Sequence, residues 1–131
     1  MSIENLAAGI KVLHNTDFGL EIPNNLKYWL RNDGPVEVFV WQHSNNEHSQ
    51  FQIIIMENFI EWKDGEGIKT GRVVTKRNLE TPLFSEDEFV FQIDTQNNDE
   101  RMKLAVGLIE QIPESYTCKA AKEFMLFKLS N

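Results

Sequence analysis

The chain has 131 residues, with 20 Asp and Glu against 13 Lys and Arg, a net charge of -7 and 41% hydrophobic residues. That length suits one domain over 1–131, and the apolar share excludes wholesale disorder. The acidic balance speaks against direct binding of nucleic acid or anionic membranes, where attraction to phosphate is mostly electrostatic.

Residues 1–20 lack a basic leader ahead of an apolar run. The longest strongly apolar stretch, 53–56, is far shorter than the roughly 20 residues of a membrane helix. The single cysteine, Cys118, excludes an internal disulfide framework and a four-thiolate zinc site, and it suits a reducing compartment. A cytoplasmic protein is the expectation.

Ile3, Leu6, Ala7, Ile10 and Leu13 recur at helical spacing, with Ser2 as N-cap, and predict an amphipathic helix over 3–13. A second short helix is predicted to open at Pro23 and Asn24. Leu26, Trp29 and Leu30 line its face, and 32–35 (Asn-Asp-Gly-Pro) stop it. The period then changes. Residues 36–42 are rich in β-branched and aromatic side chains, and 51–62 read as one long strand apolar on both faces, hence central to a sheet.

The run 64–67 (Asp-Gly-Glu-Gly) predicts a turn, with 68–75 as the returning arm of a hairpin. A further strand is predicted over 88–93. Asp99 and Glu100 suit a helix N-terminus, Met102, Ala105, Val106, Ile109 and Ile112 form one apolar stripe, and Pro113 ends it. The tail from Tyr116 fits either a helix or a strand, and the spacing of Ala120, Phe124 and Phe127 favours the helix. The predicted fold is α+β: a mainly antiparallel sheet of about four to five strands, with two N-terminal helices and one or two C-terminal helices packed on it.

Several clusters could carry chemistry. His43, Glu47 and His48 combine imidazole and carboxylate, as zinc sites do, but the spacing is not the one that puts two histidines on one helical turn, and no third ligand stands nearby. The reading is a solvated loop, and no metal or cofactor is expected. Cys118 beside Lys119 reads as an inert structural thiol. Glu57 and Glu61, on one side of a single strand, would stand about 13 Å apart, too far for a shared acid–base role. No nucleophile, base and orienting group can be placed together, so enzyme activity, with His43 or His48 as general base, ranks last.

Charge is unevenly distributed. Residues 63–77 carry five basic side chains against two acidic ones, whereas 80–100 carry seven acids and no base. This pattern points to a non-enzymatic module that docks a basic protein partner through Glu80, Glu86, Asp87, Glu88 and Asp94. The alternative is a small-ligand-binding domain whose aromatic pocket is lined by Trp29, Trp41 and Trp62. The long apolar strand is also consistent with a homodimer.

Overall fold

The computed structural model describes residues 3–12, 26–32, 34–73 and 91–130. Chain order begins with a short helix α1 (Ile3–Ala8), followed by β1 (Lys11–Val12), β2 (Leu26–Arg31), β3 (Val36–Gln42), β4 (His48–Ile55), β5 (Asn58–Lys63), β6 (Gly67–Val73) and β7 (Phe91–Ile93). It ends with α2 (Asp99–Gln111), a 3-10 turn (Glu114–Tyr116) and α3 (Lys119–Leu129). The architecture is α+β. All seven strands form one antiparallel sheet in which each pairs with its neighbour in sequence.

This corrects the expected four to five strands with two N-terminal helices: the sheet has seven strands, and α1 is only six residues long. Lys11 and Val12, expected inside the first helix, form β1 opposite Arg31 and Leu30; positions 13–25 of the N-terminal reading lie outside the described residues. Leu26, Trp29 and Leu30, expected on a helix, lie on β2, antiparallel to β3 with Trp29 opposite Phe39 and Leu30 opposite Val38. Their spacing suits a helix, but both faces of this strand are apolar, so period two leaves no polar alternation to read. What stopped the supposed helix instead closes the hairpin: the Asn32 Oδ1 accepts from the backbone N–H of Gly34 (2.9 Å) and Val36 (3.0 Å).

The long strand predicted over 51–62 is a second correction. It is the hairpin β4–β5, joined by a two-residue turn at Met56 and Glu57, with Ile55 opposite Asn58. Met56 takes the left-handed conformation, φ 56°, and its N–H donates to the Pro35 carbonyl at 2.8 Å. Neither position carries the Gly or Asn that normally marks such a turn.

Strand alternation gives the sheet two faces. On one, Leu30, Val36, Val38, Val40, Phe51, Ile53, Ile55, Ile60 and Trp62 pack beneath Ala105, Leu108, Ile109 and Ile112 of the α2 region and Met125 and Leu129 of α3. On the other, Trp29, Phe39, Ile54 and Phe59 form a second buried cluster with Leu26, Trp41, Val73 and Phe91. The Phe59 and Phe91 rings stack there at 3.9 Å.

The step from β7 into α2 is fastened by a polar network. Thr70, fully buried on β6, donates to Asp94 Oδ2 at 2.7 Å and accepts from the Asn98 N–H at 2.8 Å. Arg101 Nη1 reaches the same Asp94 oxygen at 3.2 Å, and Asn98 Oδ1 caps α2 by accepting from the Arg101 N–H at 3.1 Å. Cys118 caps α3, its Sγ accepting from the Ala121 N–H at 3.4 Å. Among the described residues no helix is long and apolar enough to cross a membrane.

Candidate ligand-binding patch on the sheet face away from α2 and α3

The second face is not apolar throughout. Towards the β3–β4 and β5–β6 loops its side chains become polar and half-buried: Gln50 and Gln52 on β4, Glu61 on β5 and Lys69 on β6. Register places them side by side, with Trp41 opposite Gln50, Gln52 opposite Glu61, and Glu61 opposite Lys69. The Gln50 and Gln52 amides both donate to one oxygen of Glu61, Oε2, at 2.8 and 2.6 Å. The carboxylate is thereby held in place between two strands. Its Oε1 has no partner among the described residues.

Trp41 borders this row. Its ring stacks on Phe39 at 5.7 Å and 22°, and Phe39 in turn stacks on Trp29 at 5.8 Å. The two tryptophans differ in how far their polar ends are occupied. Trp29 is fully buried and its Nε1–H donates to Glu37 Oε2 at 3.1 Å. Trp41 is only half-buried, and its Nε1–H has no partner among the described residues.

Lysines close the other side. Lys63 and Lys69 both reach Glu66, at 3.4 and 2.8 Å. Hydrogen bonding to Lys69, helped by its charge and by Lys63, holds the Glu66 carboxyl below the usual range, and the bond to Glu66 raises Lys69 in return.

The residues singled out in the sequence do not form one site. Trp62 lies on the opposite face, against Phe51 and edge-on to Phe124 at 4.9 Å, with Lys128 Nζ 5.1 Å from its ring centre. Trp29 and Trp41 therefore share a face that Trp62 does not. Asp94 belongs to the Thr70–Arg101 network. Glu80, Glu86, Asp87 and Glu88 lie outside the described residues.

His43 and His48 also part company. His43 Nε2 meets Asp64 Oδ2 at 3.2 Å on the exposed loops. The His48 ring stacks on Phe124 at 4.4 Å, its Nε2 is buried without a partner among the described residues, and burial lowers its pKa. Burial, reinforced by the neighbouring Cys118 thiol, pushes the Tyr28 hydroxyl up to about 12. Glu57 sits at the tip of the β4–β5 hairpin, so the spacing expected from a continuous strand with Glu61 does not apply. Among the described residues no three His, Cys, Asp or Glu side chains gather as a metal-binding group.

Sequence reasoning passed over Gln50 and Gln52. The available signal was the alternation of polar 50 and 52 with apolar 51 and 53, which marks a strand end with one polar face. Comparison of the chain with models of known families, with curated proteins and with solved structures returns no match.

Proposed function

We propose that this chain is a non-enzymatic binding domain that takes a small ligand on the sheet face over Gln50 and Gln52, between Trp41 and Glu61. The observation that carries this reading is the double donation of Gln50 and Gln52 to a single Glu61 oxygen. It fixes an acceptor on rigid strands, with an indole N–H nearby that is unengaged among the described residues. Recognition sites characteristically combine an aromatic surface with a few positioned polar groups. Half-buried groups lose less hydration on binding than fully exposed ones, and strands hold them without ordering a loop.

The test is a broad screen of metabolites and small polar compounds, read by tryptophan emission and by thermal shift. A ligand should change both signals in the native chain and neither in Trp41→Ala. A screen with no response, or ligands indifferent to Trp41, would refute the reading.

The charge asymmetry supports a second reading: a module for a basic protein partner, docked through the acids of 80–100, in a cytoplasmic setting. Seven acids without a base in that stretch would steer such a partner electrostatically. Binding should then weaken steeply with salt, and reversing Glu86, Asp87 and Glu88 should slow association. Binding of the natural partner that ignores salt would sink this version.

A further inference from the structure

We infer that the ligand of the Trp41–Glu61 patch is a neutral saccharide, an inference that rests on the small-ligand reading above. Charge on the patch argues first. Glu61 and Glu66 face Lys63 and Lys69, so the four formal charges cancel, and both lysines are drawn to Glu66. A cationic ligand would approach two ammonium groups and an anionic one two carboxylates. A neutral ligand meets neither opposition, and its binding needs no counter-charge.

Hydrogen-bonding capacity argues next. The patch presents Glu61 Oε1, the amide carbonyl oxygens of Gln50 and Gln52, and the Trp41 Nε1–H, none of them engaged among the described residues. The patch offers donors as well, since each Gln amide keeps a second N–H and Lys63 and Lys69 carry further ones. Vicinal hydroxyls suit it, because each can donate to a carboxylate or amide oxygen and accept from an N–H. The half-buried Trp41 adds an aromatic surface, whose electron-rich face attracts the C–H edges of a sugar ring.

Size sets the last constraint. Trp41, Gln50 and Glu61 lie on three consecutive strands, two spacings or about 10 Å across, and Gln50 to Gln52 covers about 7 Å along β4. That footprint suits one or two sugar rings of a free saccharide.

The experiment titrates the full chain with free neutral trisaccharides (maltotriose, cellotriose and N-acetylated chitotriose), with N-acetyl-arginine amide, and with a sulfated disaccharide. Calorimetry and NMR follow the indole N–H of Trp41. At least one neutral trisaccharide should bind, equally at low and high salt, and shift that resonance. Trp41→Ala and Glu61→Gln should each weaken it more than about tenfold, for Glu61 the effect of one lost hydrogen bond to an anion. Trp41→Phe keeps a ring for the fold and should lose only the indole contribution, about fivefold.

Should the arginine amide or the sulfated sugar bind at Trp41 while neutral sugars do not, the saccharide assignment is overturned and the ligand-site reading survives. If none of these probes and nothing in the wider screen perturbs Trp41, both fall. Neutral sugar binding that Trp41→Ala and Glu61→Gln leave unchanged places the sugar elsewhere and also overturns the assignment.

Discussion

Thr70→Val replaces a fully buried hydroxyl by a methyl group of nearly the same shape, so its cost isolates the polar network at the start of α2. Two hydrogen bonds disappear. The bond to Asp94 Oδ2 is 2.7 Å long with an ionised acceptor, worth about 1.5–3 kcal/mol. The Asn98 N–H loses its acceptor at 2.8 Å, and leaving such a donor unpaired costs about 1–3 kcal/mol. Asp94 keeps Arg101, so part of the loss is recovered, and the expected net is about 2–4 kcal/mol. With a urea slope of about 2 kcal/mol/M, the unfolding midpoint should fall by about 1–2 M.

Thr70→Ser is the control: it keeps both bonds and loses one methyl, worth about 1 kcal/mol. Urea unfolding followed by circular dichroism gives both values, and amide exchange at Asn98 should quicken selectively in the Val variant. A cycle with Asp94→Ala should show coupling above about 0.5 kcal/mol. Thr70→Val within about 0.5 kcal/mol of the native chain at unchanged slope, or Thr70→Ser equally damaging, would refute the argument.

Three further outcomes follow from other parts of the fold. A Cβ on Gly71 would press into the Gln92 carbonyl oxygen, with Gln92 C and Ile93 Cα at 3.1 Å, so Gly71→Ala should displace β7 and cost at least about 1–3 kcal/mol in chemical denaturation. Met56→Asn should raise the unfolding free energy by up to about 1 kcal/mol, because Met56 is exposed and holds φ at 56°, where Asn rests more easily; an unchanged or lower value would contradict the strain.

His48 is held neutral by burial, so its folded pKa lies below 6.5. The unfolded chain takes up the proton first as pH falls, so the stability this residue provides is intact above about pH 6.5 and declines below it as pH drops towards the folded pKa. Replacing His48 by Phe should flatten that part of a stability–pH curve, and a parallel curve would contradict the assignment.

Local signals made much of the framework legible. The acidic start and apolar stripe of α2, and the stop at Pro113, are properties of neighbouring residues, because helix ends and helical faces are decided within a few positions. The β5–β6 turn is equally local: Gly65 and Gly67 take φ of 84° and 81°, which side chains with a Cβ resist. The surplus of acid over base is a matter of composition alone.

What needed the tertiary structure is the pairing. Whether Leu26, Trp29 and Leu30 form a helix or a strand depended on pairing with β3, a partner no local window contains. The break at Met56 was decided by register between β4 and β5, since an apolar run with no polar alternation states neither its length nor its turn. Faces came last. Trp29, Trp41 and Trp62 are alike as residues, yet strand parity and the side chosen by α2 and α3 bury one on a carboxylate, leave one beside the Gln50–Gln52–Glu61 row, and turn the third under Lys128. Side-chain direction alternates every residue along a strand, so it has no meaning until the register of the neighbouring strands and the position of the covering helices are set.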